Sequence, residues 1–154
     1  METNRGVADL EASVGREAGP TDWFVMDQSR IDGFADATED HQWIHVDPQR
    51  AAAGPFGTTV AHGFLTLSLV PYFAGQLRRI EGARMGINYG LDRVRFPAPV
   101  PAGARIRARS QLVSVDRVGD AAHLVTRVTI EVEGGAKPAC VADVVTRLYF
   151  LAAC

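Results

Sequence analysis

A chain of 154 residues suits one domain built around one hydrophobic core. Hydrophobic residues make up 47% and charged residues 22%, close to the averages of soluble globular proteins, which excludes disorder as the dominant state. The formal net charge of −2 supplies no basic field for phosphates and argues against nucleic acid as a principal partner.

Residues 1–20 read as a polar leader. Glu2, Asp9, Glu11 and Glu17 interrupt the apolar run that a secretory signal needs. A short helix over 7–16 is expected to stop at Gly19-Pro20. Residues 21–154 read as a single domain. Trp23, Phe24 and Val25 suggest a short strand, and Asp27 is placed to cap a helix reaching about Thr38, with Ile31, Phe34 and Ala35 on one face.

Residues 39–61 read as irregular, apart from a short helix over 48–53 with Asp47 as its cap and Pro48 at its first position. Loops of this length inside a compact domain are usually functional. The longest helical candidate covers residues 63–79. Its apolar residues surround the axis almost completely, which predicts burial on most sides, and Pro71 is expected to bend it. Thr66, Ser68 and Pro71 interrupt the run, so it reads as a core helix and no membrane span is expected.

The second half changes to period-two patterning, with strands expected over 85–96, 104–115, 123–133 and 139–151. Leu124, Thr126, Val128, Ile130 and Val132 alternate with Val125, Arg127, Thr129, Glu131 and Glu133. Turn residues at 117–120 and 134–135 join neighbours as hairpins, and the four strands read as a meander. A buried helix laid on one face of a curved antiparallel sheet is an α+β architecture. Cys140 falls in a strand and Cys154 is the last residue; two such cysteines make no disulfide framework and suit a cytoplasmic location.

The chemistry is concentrated in two stretches: Phe-Ala-Asp-Ala-Thr-Glu-Asp-His-Gln-Trp-Ile-His-Val-Asp at 34–47 and Ala-His-Gly-Phe-Leu-Thr-Leu-Ser at 61–68. Together with Gly-Leu-Asp-Arg-Val-Arg-Phe-Pro-Ala-Pro-Val at 90–100, they resemble the MaoC-like, (R)-specific enoyl-CoA hydratase family, and within it the NodN-like branch. The resemblance runs from about residue 22 onward. It implies a hot-dog fold, an antiparallel sheet wrapped around a long central helix, in a homodimer whose sheets join edge to edge. It also implies reversible hydration of a trans-2-enoyl thioester to the (R)-3-hydroxyacyl thioester, a hydro-lyase reaction. The substrate's carrier would be coenzyme A or an acyl carrier protein, with no metal or redox cofactor.

The family's motif, Asp-x-Asn-Pro-(aliphatic)-His, places its acid–base pair on Asp40 and His45; Gln42 stands where the Asn would be and Trp43 where the Pro would be. A carboxylate and an imidazole converging on one water supply both the base and the proton that the addition requires. The backbone N–H of Gly63, at a helix start, suits an enolate oxygen, and one such donor is worth roughly 3–4 kcal/mol in a transition state. Taken singly, Asp40 reads better as a turn or cap residue and His45 as a satisfied core histidine than as catalytic groups. The His62-Gly63 motif is what joins them.

The remaining candidates carry less. Gln42, Trp43 and His62 belong to the motif loops, where His62 is expected to orient the loop at the helix start. Asn88 and Tyr89 are candidate pocket residues, with core packing an equal reading for Tyr89. Arg95 is a candidate for carrier phosphates, as are Arg93, Arg105, Arg107 and Arg109, though solvated strand faces explain these arginines equally well. His123 reads as an ordinary strand residue. His41 and His45 have an i, i+4 spacing, but no Glu follows the first His and no long helix carries them, so no metal site is expected. Two rivals stay open: a hot-dog thioesterase, which would carry its carboxylate on the helix over 63–79, where there is none, and a non-catalytic acyl-binding or assembly subunit.

Overall fold

The computed structural model describes residues 1–150; the expectation for Cys154 lies outside them. Fourteen elements follow in chain order: β1 (Glu2–Arg5), α1 (Gly6–Ala12), β2 (Glu17–Ala18), β3 (Phe24–Val25), α2 (Gln28–Thr38), α3 (Trp43–Val46), α4 (Pro48–Ala52), α5 (Gly63–Ser68), α6 (Val70–Leu77), β4 (Arg78–Glu81), β5 (Ala83–Arg95), β6 (Arg105–Val118), β7 (Ala121–Val132) and β8 (Cys140–Phe150).

The strands β6, β7 and β8 form two long antiparallel hairpins; the β7–β8 register is continuous, and the β6–β7 register shifts once between Leu112 and Ser114. Gly119 and Gly134 sit in the two turns at φ of 60° and 70°, a conformation that favours glycine. The full strand order is β2-β6-β7-β8-β5, with β3 also paired to β6. β5 therefore pairs with β8, not with β6 as a four-strand meander requires. The cause is the link over 96–104, whose Pro97, Pro99 and Pro101 cannot form a tight hairpin. The link instead crosses the domain, pinned by Ala61 N–H donating to Val100 O at 2.8 Å and by an isolated bridge between Val60 and Pro101.

The concave face of the sheet wraps the helical layer. Leu65, Val70, Phe73 and Leu77 pack with Ile106, Ala108, Val128, Ile130, Ala142 and Val144 in the main core. Each large side chain buried this way contributes about 1.5–3 kcal/mol. The helix expected over 63–79 is broken: α5 and α6 meet at Leu69, and Arg78 and Arg79 belong to β4. Pro71 has no N–H to give to the Leu67 carbonyl and its ring would clash there, so the chain restarts at Val70. Nor is the helix covered all round, since Phe64 is 69% and Tyr72 52% exposed.

Residues 1–20 share this fold instead of trailing from it. β1 pairs in parallel with β4, and Leu10 of α1 is fully buried with Leu112, Ala122, Leu124 and Leu148. The Arg78 guanidinium ties the segment down. It lies 2.8 Å from the Glu2 carboxylate and donates to Asn4 Oδ1 at 2.7 Å and Ser13 Oγ at 3.1 Å. Among the described residues no helix is long and apolar enough to cross a membrane.

Candidate active site

The site is assembled by the irregular segment between α2 and α5. Asp27 accepts from Arg30 N–H at 2.8 Å and starts α2, as its sequence position predicts. The helix ends at Glu39, which adopts a left-handed φ of 60°, the one non-glycine among the described residues to do so. Such a conformation is uncommon outside glycine, and here it turns the chain directly into Asp40. One helical turn, α3, then presents His45, and Asp47 caps α4 by accepting from Arg50 N–H at 3.0 Å.

His45 is 7% exposed. Its Nδ1 lies 2.6 Å from the Val60 carbonyl. A carbonyl only accepts, so Nδ1 carries the proton and Nε2 of the neutral ring keeps its lone pair. Burial holds the imidazole pKa below its ordinary value; the Val60 hydrogen bond and the Asp40 charge oppose that shift and His62 adds to it. The backbone around the ring is braced from a distance. Val60 N–H donates to Ile44 O at 3.0 Å, Gln28 Nε2 donates to His45 O at 2.8 Å, and the Thr59 hydroxyl donates to Gln28 Oε1. Gln28, Thr59 and the Val60 carbonyl are contributors that no local sequence pattern marks.

His62 stacks on His45 with ring centroids 3.7 Å apart and planes at 24°. Its Nε2 lies 2.9 Å from the Asp40 backbone carbonyl and 4.0 Å from Asp40 Oδ2. The Asp40 side chain is 55% exposed. Donor atoms of Asp40, His45 and His62 lie within 4.8 Å of one another, close enough to suggest a metal trio. The stacking argues against that use. Zn–N bonds of about 2.0–2.1 Å lie in the imidazole plane, and an ion shared by two stacked, near-parallel rings could not lie in both planes. His41 is elsewhere, on the surface, 2.8 Å from Asp36.

Gly63 follows as the first residue of α5, where its N–H has no acceptor within the helix. A Cβ there would stand 2.9 Å from Cδ2 of Phe96, so glycine is dictated by a close approach. A cavity of about 240 Å³ opens beside it, walled by Phe56, Ala61, Thr66, Phe96 and Val100. A second cavity of about 370 Å³ lies further along the same helical layer, between Leu67, Val70 and Pro71 and the β5 residues Asn88 and Leu91.

The other expected residues scatter. Asn88 lines the second cavity, but Tyr89 does not join it. Neighbours on a strand face opposite sides, and Tyr89 packs on His123 across the outer face, ring centroids 4.7 Å apart. The pairing register shifts between Asn88 and Gly90, which leaves Tyr89 unpaired on a bulge. Gln42 is exposed at the cap of α3 and makes no side-chain capping bond. Trp43 packs against Gly54, with the Arg50 guanidinium 4.6 Å from its ring. Arg95 is exposed and bonds its neighbour's carbonyl, Val94 O. Arg105 pairs with Glu133, and Arg107 and Arg109 with Glu131, as expected of solvated strand arginines.

Residues 9–134 match the family described as MaoC like domain. The chain belongs to the MaoC-like family. It is 55% identical over 148 residues to 3-hydroxyacyl-thioester dehydratase Z of Mycobacterium tuberculosis, covering 96% of this chain and 98% of that one. It is 49% identical to Nodulation protein N of Rhizobium leguminosarum bv. viciae, covering 94% and 91%. Among solved structures it is similar to the (R)-hydratase from A. caviae involved in PHA biosynthesis, at 26% identity and a TM-score of 0.69, covering 86% and 94%. The sheet-around-helix arrangement is thus the hot-dog fold of the MaoC-like proteins.

Proposed function

We propose that this MaoC-like chain catalyses the reversible addition of water to a trans-2-enoyl thioester, giving the (R)-3-hydroxyacyl thioester, with Asp40 and His45 as the acid–base pair. The observation that carries the reading is His45: a buried imidazole whose Nδ1 is committed to Val60, leaving the Nε2 lone pair free, in a cluster where donor atoms of Asp40, His45 and His62 lie within 4.8 Å of one another. In our reading Asp40 orients a water and His45 Nε2 takes its proton as the oxygen bonds to C3. The C2–C3 π pair moves onto the thioester as an enolate, which the Gly63 N–H stabilises, and the imidazolium returns the proton to C2. No redox or metal cofactor is needed for these steps. The acyl group rides on coenzyme A or an acyl carrier protein, which suits a cytoplasmic site of action, and the apolar cavity along Leu67, Val70 and Leu91 suits its chain. Neither α5 nor α6 contains the carboxylate that the thioesterase reading requires. The test is to incubate the purified protein with crotonyl-CoA and resolve the product on a chiral phase: (R)-3-hydroxybutyryl-CoA supports the proposal, and the (S) product or none refutes it.

The pH dependence follows from His45. A base must be neutral, and burial holds this imidazole below the ordinary value of about 6.5. The acidic limb of kcat/KM is therefore expected below pH ~6.5. The unfolded chain takes up this proton at higher pH than the folded chain does, so the stability difference is present above pH ~6.5 and is lost as pH falls through the folded value. A limb centred above pH 7 in a pH–rate profile contradicts the assignment.

We further propose a homodimer joined along β5. This edge strand leaves Met85, Ile87, Tyr89 and Leu91 each 41–59% exposed, an open template for a second copy. Sedimentation velocity at micromolar concentration is expected to show a dimer, weakened by Ile87→Arg. A monomeric wild-type chain rules this arrangement out.

A further inference from the structure

His62 is 3% exposed, yet its Nδ1 is buried with no hydrogen-bond partner among the described residues. A buried acceptor without a donor is costly, and a phenyl ring of similar shape would remove that cost. Packing alone therefore favours Phe at this position, and what the imidazole adds is its other nitrogen. Nε2 faces the Asp40 carbonyl at 2.9 Å, so it carries the proton and donates. The same ring lies against His45 at 3.7 Å and against Phe34 at 5.0 Å, and the residue's own peptide leads into the Gly63 N–H at the start of α5. One side chain thus touches the backbone of the carboxylate residue and the face of the imidazole, and sits next to the enolate donor.

We infer that His62 is the positioning residue of this site: its Nε2–H holds the Asp40 backbone, and its ring holds the His45 face, in the one arrangement where both reach the same water. The inference rests on the hydratase reading for its kinetic consequence but not for its geometry. Asp40 needs such a restraint because its side chain is half exposed and it follows the strained Glu39. His45 is tethered by Val60 and Gln28, Asp40 is held by His62 Nε2, and the His62 ring stacked on His45 joins the two into one unit.

Two variants separate positioning from mere packing. His62→Phe keeps the ring and loses the donor; His62→Gln keeps a donor and loses the ring. Positioning gives a His62→Phe protein with Tm equal to or above wild type, kcat on crotonyl-CoA lower by about 10–10²-fold and KM within about threefold. It gives a His62→Gln protein with lower Tm but higher kcat than His62→Phe. A kcat that follows Tm across the two variants, or a His62→Phe protein with wild-type kcat, overturns the inference. A wild-type protein that leaves crotonyl-CoA untouched sinks the hydratase reading instead. The inference then still has its own test, because ¹⁵N chemical shifts report the His62 tautomer without substrate: an Nε2–H ring supports it and an Nδ1–H ring overturns it.

Discussion

Asp40→Asn is expected to lower hydration of crotonyl-CoA by about 10²–10⁴-fold while leaving the fold intact. The substitution is nearly isosteric, and the carboxylate it replaces is 55% exposed and caps no helix, so little packing is at stake. The loss should fall on kcat, because the proposed role of the carboxylate is to orient the attacking water and not to hold the acyl chain. His45→Ala should match that loss but also cost stability, since it strands the buried Val60 carbonyl, an unpaired acceptor worth about 1–3 kcal/mol. Chemical denaturation alongside the kinetics separates the two effects. Wild-type rates in Asp40→Asn would remove it from the catalytic pair.

The second large effect is expected at Gly63. An added methyl would stand 2.9 Å from Cδ2 and 3.0 Å from Cγ of Phe96, too close for any real contact. Either the ring or the first turn of α5 must move, and Phe96 also packs edge-on to Phe64 at 6.0 Å. Displacing an oxyanion donor by about 1 Å costs on the order of 10²-fold. Gly63→Ala should therefore lower kcat by about that factor. Because the clash is with one ring, Phe96→Ala in the same chain should recover much of the loss. A Gly63→Ala protein with unchanged kcat, or a double variant no better than the single, contradicts the role given to this amide.

What was legible in the sequence was whatever a local pattern encodes. The alternation of Leu124, Val128 and Ile130, with Gly119 and Gly134 at the turns, marks the β6–β8 hairpins, and Asp27 and Asp47 mark their helix starts directly. Asp40, His45, His62 and Gly63 were legible because two short motifs carry them. What was hidden depends on residues distant in sequence. The braces on His45 come from Gln28, Thr59 and Val60, and no motif joins them. The pairing of β5 with β8 depends on the Pro-rich link crossing the domain. Residues 1–20 look polar because they contribute mainly Leu10 to a core, and their anchor, Arg78, lies 74 residues from Asn4. The nearly complete apolar ring of the helix over 63–79 suggests burial on most sides, but Phe64 and Tyr72 remain open on a single chain.

The central claim is that water adds to the enoyl group and the thioester survives. It is tested most directly by incubating the purified wild-type protein with crotonyl-CoA and following enoyl absorbance and free thiol in the same sample. The expected result is a fall in enoyl absorbance to equilibrium with no rise in thiol. Thiol release, or an enoyl signal that stays constant at high protein concentration, contradicts the account.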